Sequence, residues 1–212
     1  MSSFGIASAT GSEPLGQRVQ RTGARVMSLL VLLAMFTCTF AVPARSDGRM
    51  LKQTGPGEVL FVGRSFGVPV ASGRFERFEC RVAVDLERPD RSRVAVRIVA
   101  GSLRTLFGFA DGFVKGKDVL NVSAYPHLSF VSQAVRQIDG NHYWIEGQLR
   151  IKAVSRTVEL RVTIDGDLDT LTEGQSLPFT ATTSVSRSEF GIGPGIPLLD
   201  DRLEIAVRGN LS

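Results

Sequence analysis

An all-β fold is predicted for this chain of 212 residues, with about eight antiparallel strands joined as hairpins in series. Two observations carry the prediction. Apolar and polar residues alternate with period two in run after run, and turn-forming residues punctuate the runs at short intervals. No long amphipathic helix pattern accompanies them to cover the apolar faces. Hairpins in series then close either as a sandwich or as a barrel.

The clearest pair runs from Gly147 to Asp165. Leu149 and Ile151 alternate with Gln148, Arg150 and Lys152, and after Val154-Ser155 the residues Val158, Leu160, Val162 and Ile164 alternate with Thr157, Glu159, Arg161 and Thr163. The first apolar run is Glu58–Arg64, after a polar lead-in over 47–57, and the chain turns or bulges over Ser65–Gly73, which holds Gly67, Pro69 and Gly73. Phe78, Cys80, Val82 and Val84 make the next strand, Pro89-Asp90 a turn, and Val94, Val96 and Ile98 the strand after it.

From Gly101 to Asn121 the rhythm breaks, and this stretch reads as a short, irregular helical connection over Ser102–Lys115. It is rich in aromatics, with Leu103 and Leu106 beside Phe107, Phe109 and Phe113. Those rings either plug one end of the core or form a mouth over a cavity. Strand character returns at Leu128–Gln137 with Phe130 on its apolar face. Asp139-Gly140 closes a tight hairpin, and Tyr143 and Ile145 lead into Leu149, with Trp144 on the outer face. Asp165–Glu173 is a polar loop. Leu177, Phe179, Ala181 and Val185 form the next inward face, Gly191–Pro197 is a Gly/Pro loop, and Leu203, Ile205 and Val207 belong to the last strand.

The N-terminal 46 residues read differently. Arg18, Arg21 and Arg25 precede an apolar run from Val26 to Val42, and Ala44-Arg45-Ser46 offers small residues for cleavage, with Val42-Pro43-Ala44 as an alternative site. This is the pattern of a secretory signal peptide, cleaved near Ser46; the alternative is an uncleaved anchor, the run being at the lower edge of what spans a bilayer. The expected location is periplasmic or secreted. The net charge of +4 owes much to this leader. Removing its four basic residues from 25 and its one acidic residue from 21 leaves the body close to neutral, which gives no concentrated basic surface for nucleic acid.

Catalytic chemistry finds little support. Two histidines, His127 and His142, stand in no metal-binding spacing. Asp200 and Asp201 are adjacent, so they would face opposite sides of a strand, and a pairing of either with Arg187 is read as structural. Gly191–Gly195 precedes a strand rather than the helix that phosphate binding uses. Cys38 falls in the leader, so Cys80 has no partner and reads as a small buried residue. No catalytic residue, no metal and no cofactor is therefore expected, and the chain is not expected to be an enzyme.

Five stretches, in order, carry a family resemblance: Gly73-Arg74-Phe75 into Val84-Asp85; Ser102-Leu103-Arg104-Thr105; Tyr125-Pro126-His127-Leu128-Ser129-Phe130; Gly147-Gln148-Leu149-Arg150-Ile151 with Val158-Glu159-Leu160; and Ser186-Arg187-Ser188-Glu189-Phe190-Gly191. From about Glu58 to Ser212 the chain resembles the YceI-like domain. It departs from that pattern at Ala153-Val154-Ser155, where the family has Gly followed by Val and Thr. The resemblance implies an eight-stranded antiparallel up-and-down, lipocalin-like β-barrel over 58–212 that binds a polyisoprenoid or similar apolar lipid.

Such a barrel has an interior that side chains fill or that holds one small ligand. The expected lining residues are the apolar members of the alternating strands: Phe78, Val82, Val96, Ile98, Phe130, Ile145, Leu149, Ile151, Leu160, Val162, Phe179, Leu203 and Ile205. Leu103, Phe107 and Phe109 join them from the connection. Burying roughly 400 Å² of apolar ligand at about 25 cal/mol per Å² contributes on the order of 10 kcal/mol, against association costs of several. Two other readings stay open: a solid-cored structural or stress-response barrel, and an isoprenoid-quinone carrier for a membrane redox partner. A homodimer is allowed for, and no stable membrane anchor is expected after cleavage.

Overall fold

A computed structural model describes residues 48–193 and 198–212. The expectations about the leader and its cleavage fall on residues 1–46 and lie outside the described residues. Ten strand segments form one antiparallel sheet: β1 (Arg49–Ser65), β2 (Val68–Phe75), β3 (Phe78–Val84), β4 (Arg93–Val99), β5 (Leu103–Thr105), β6 (His127–Asp139), β7 (His142–Ile151), β8 (Val154–Ile164), β9 (Leu177–Ser186) and β10 (Arg202–Leu211). The sheet closes because β1 pairs with β10 on one side and with β2 and β3 on the other.

The ten segments make eight barrel strands. β2 pairs with the second half of β1 and β3 with its first four residues, so β2 and β3 are one strand broken at Glu76-Arg77. β4 and β5 are likewise one strand, broken by a single 3-10 turn at Ala100–Ser102, and they follow β3 and β2 in register. Ser102 repairs both breaks. Its Oγ accepts from the Arg77 N–H at 3.1 Å and donates to the Val99 carbonyl at 2.7 Å, so this buried hydroxyl replaces ladder bonds that the kinks remove.

Three boundaries differ from the sequence reading. The turn read over Ser65–Gly73 is confined to Phe66 and Gly67, and β2 takes up the rest by pairing with the second half of β1. β1 starts at Arg49, so the polar lead-in is strand; its register to β10 jumps between Thr54 and Glu58. Gly55 at φ 68° and Pro56 lie in that bulge, where the missing Pro N–H removes no ladder bond. The connection read as helical over Ser102–Lys115 contains a strand, β5, because pairing Leu103 opposite Phe75 takes Leu103 into the core at 1 % exposure. Among the described residues only Asp111–Lys115 forms an α-helix, α1.

The β7–β8 hairpin turns through Lys152 and Ala153, with Lys152 in the left-handed region at φ 57°. The Lys152 ammonium donates to the carbonyls of Val119 at 3.1 Å and Gly191 at 2.7 Å, tying this turn to two other connections at the same end. That end also carries the β1–β2 turn and the 106–126 crossing. At the opposite end the loop after β8 folds Leu168 and Leu171 inward, both buried.

A candidate ligand cavity

The inward face of the barrel is apolar in every strand, but it does not enclose one lumen. An upper chamber of about 490 Å³ lies at the end with the 106–126 crossing, lined by Phe61, Phe75, Leu103, Val119, Leu120, Leu128, Ile151, Val185, Ile192, Leu203 and Ile205. Val70, Phe113 and Leu198 line it too and are exposed, so they frame its opening. A lower chamber of about 150 Å³ is bounded by Cys80, Val82, Val96, Ile145, Leu160, Val162, Leu168 and Phe179. The two share no lining residue.

The predicted lining residues therefore divide. Leu103, Ile151, Leu203 and Ile205 line the upper chamber; Val82, Val96, Ile145, Leu160, Val162 and Phe179 line the lower. Phe78, Ile98, Phe130 and Leu149 are buried and line neither, so they form a packed layer across the middle of the barrel. Phe107 and Phe109 lie outside, 59 % and 88 % exposed, stacked on each other with centroids 5.9 Å apart. They neither plug the core nor line the cavity. The reason is the anchor of α1, whose start at Asp111 is fastened to Thr105. Ala110, Phe113 and Val114, at helical spacing, then face the chamber, while the residues before them swing out.

Asp111 Oδ1 accepts from both the backbone N–H and Oγ1 of Thr105, each at 2.7 Å. These bonds, with Lys115 and Arg104 nearby, hold its carboxyl below the usual carboxylate range. Arg187 is the one charged residue among the described residues lining the upper chamber. Its guanidinium donates to the carbonyls of Ile192, Gly193, Leu199 and Asp200 at 3.1, 2.5, 2.9 and 3.2 Å. The Asp201 carboxylate accepts from the Ser188 N–H at 2.9 Å, which lowers its pKa. The Arg187–Asp200 link thus runs through a main-chain carbonyl and shapes the loop, in keeping with a structural role.

Several lining residues escaped the sequence reading. Phe61 sits in the first apolar run and was open to a period-two count, whereas Phe75 follows the Gly/Pro stretch read as a turn. Val119, Leu120 and Ile192 come from connections without periodicity, and only the fold brings them to the chamber. Both histidines are exposed at strand starts; His142 Nδ1 lies 2.5 Å from Asp139 Oδ1 across the hairpin turn. Among the described residues, no three His, Cys, Asp or Glu side chains gather in a way that could hold a metal ion. No described helix is long and apolar enough to cross a membrane.

Residues 53–211 match the model of the YceI-like domain. The chain belongs to the YceI-like family. It is 29 % identical over 144 residues to a UPF0312 protein of Pseudomonas putida strain W619, covering 68 % of this chain and 75 % of that one. Among solved structures, the YceI-like barrel is similar to Burkholderia cenocepacia BcnA, with a TM-score of 0.64 and 26 % identity over 74 % of this chain and 96 % of the other. It also matches a domain from Saccharophagus degradans described as polyisoprenoid-binding and implicated in plant cell wall breakdown. There the TM-score is 0.58 and the identity 8 %, covering 76 % and 97 % of the two chains, a likeness of fold.

Proposed function

We propose that this protein is an exported binding protein that holds a long apolar chain, a polyisoprenoid or a related lipid or quinone tail, in the upper chamber of its barrel. The observation that carries the reading is the chamber itself. Its volume of about 490 Å³ is in the range of small-molecule sites, and its lining is apolar apart from Ser65 and Arg187. A lining of that kind offers an apolar guest burial and offers a polar one no compensating partners. A solid-cored barrel would leave no such volume. The polyisoprenoid-binding domain of similar fold supports the same ligand class. Binding without chemistry accords with Arg187 being occupied by carbonyls of its own loop. The leader supports export, with the periplasm or the medium as destination.

The test is to express the full gene, recover the protein from the periplasm, and identify extracted lipid by mass spectrometry. One apolar chain per protein is expected, lost in Ala71→Phe, which fills the upper chamber, while circular dichroism stays β-type. Protein that carries no lipid and takes up no prenyl chain in vitro would overturn the binding reading. An intact N-terminus on protein retained in the cytoplasm would overturn export.

A further inference from the structure

The rim of the upper chamber is built from three separate segments that all place large apolar side chains in water. The β1–β2 turn exposes Phe66 and Val68, the crossing after β5 exposes Leu106, Phe107 and Phe109, and the segment before β10 exposes Leu198. Phe66 and Phe109 are each 88 % exposed, values at which a side chain gains nothing from the fold it belongs to. Phe66 and Leu198 also hold φ of 50° and 64°. A bulky residue is strained there where Gly or Asn is not, so the fold sustains both exposure and strain at these tips.

We infer that this rim docks the protein on a phospholipid bilayer, with the aromatic tips inserted at the interface and the chamber open toward the acyl chains. The inference rests on the reading of the chamber as a site for an apolar chain. Three observations favour a bilayer over a protein partner. First, the apolar tips lie within a few residues of Val70, Phe113 and Leu198, which frame the opening through which such a chain must pass, so docking spares the chain a path through water. Second, the tips are already bonded internally, as entry into a medium without water requires. The Phe107 carbonyl accepts from the Ala110 N–H at 2.9 Å, and the Leu106 N–H donates to the Ser72 carbonyl at 3.0 Å. The Gly67 carbonyl accepts from Arg64 at 3.0 Å, and the Phe66 N–H donates to Asp200 Oδ1 at 3.3 Å. Third, the cations Arg64, Arg104 and Lys115 behind the rim are paired, Arg64 with Glu204 at 3.2 Å, and Arg104 and Lys115 with Asp111 at 3.5 and 3.7 Å, while the Asp200 carboxylate stands behind Phe66. That leaves little field to steer a charged partner, so attachment depends on apolar insertion rather than on anionic headgroups.

Vesicle flotation tests this. The exported protein, recovered from the periplasm after leader cleavage, and a Phe66→Ser/Phe107→Ser/Phe109→Ser variant obtained identically are mixed with phosphatidylcholine vesicles, with and without added anionic lipid. The unsubstituted protein is expected to float with both vesicle types and to be indifferent to salt, and the variant to lose about tenfold or more in partition. Prenyl-chain loading of both proteins is measured separately in detergent, where the rim is not needed. Retained loading with lost flotation supports docking. Equal flotation of the two proteins, or none by the unsubstituted one, overturns docking whatever the loading shows. A dimer in vesicle-free solution that the variant dissolves overturns it also, by assigning the rim to a second copy. Loss of loading in both proteins would instead count against the chamber reading.

Discussion

The Phe130 ring packs against Gly147 on the neighbouring strand, so close that a methyl group at 147 would sit 2.5 Å from Phe130 Cζ. The same methyl would press on the Val131 carbonyl. Glycine here is a packing requirement: it makes room for the ring that closes the middle of the barrel. Gly147→Ala is therefore expected to destabilise the domain by about 1–3 kcal/mol, the usual range for overpacking. Urea denaturation gives the number. Adding Phe130→Leu should recover only part of it, because the clash with the Val131 carbonyl remains.

The barrel was legible because period-two alternation survives in β3, β4 and β7 to β10, and because each hairpin turn has its own local chemistry. The site was legible only in part. Alternation tells which face of Val96 or Ile98 points inward, but both residues have the same pattern, and nothing in it says that one borders a chamber while the other is packed solid. Height along the barrel axis depends on strand stagger, which is a property of all eight strands together. Val119 and Leu120 were hidden for another reason: they lie in an irregular crossing whose course is set by long-range bonds such as Lys152 to Val119.

Asp111 and Thr105 fasten the aromatic crossing to the end of β5. Since the fold lowers the Asp111 pKa, its contribution is complete above the ordinary carboxylate value of 3.8 and is lost as pH falls through the depressed folded value. Hydrogen exchange at residues 105–115 should therefore stay slow at pH 5 and speed up only in stronger acid. Asp111→Ala should show the fast pattern already at pH 7, with the rest of the barrel unchanged. Uniform acceleration across all strands would contradict a local anchor.

Cys80 faces the lower chamber at 5 % exposure, and burial pushes its thiol up to about 12 from 9.0. The folded state holds the proton longer than the unfolded chain does, so stability is whole below pH 9 and declines as pH rises toward 12. Between pH 8 and 10.5 that loss amounts to about 2 kcal/mol. Cys80→Ala should flatten this part of the profile when denaturant midpoints are compared at the two pH values. Iodoacetamide should label Cys80 only at the rate of unfolding, since the reactive form is the thiolate.

Replacing Phe107 and Phe109 together by Ala separates rim from core. A buried Phe→Ala change typically costs about 3–5 kcal/mol, whereas surface changes stay within about 0.5. With both rings exposed, the pair is expected to leave the melting temperature within a few degrees while altering the rates at which an apolar chain enters and leaves. Stopped-flow transfer of a fluorescent prenyl analogue, measured beside thermal melts, decides between them. A large drop in melting temperature would return these rings to the core.

The middle layer sets how deep a guest can reach. Phe78, Ile98, Phe130 and Leu149 separate about 490 Å³ above from about 150 Å³ below, and Phe130 is 4 % exposed within that layer. Ile98→Arg would bury a charge with no partner there and should prevent stable folding. Phe130→Ala is the informative change. It should destabilise the empty protein by about 3–5 kcal/mol, since it opens a cavity in the layer. The same cavity joins the two chambers, so a longer apolar chain could thread past the layer and recover part of the loss by binding. The expected result is a lower melting temperature without lipid, a larger rise on adding prenyl chains than the unsubstituted protein shows, and a shift of the bound population toward longer chains by mass spectrometry. An unchanged chain-length distribution would mean that the guest never reaches this layer, and that the upper chamber alone sets its length.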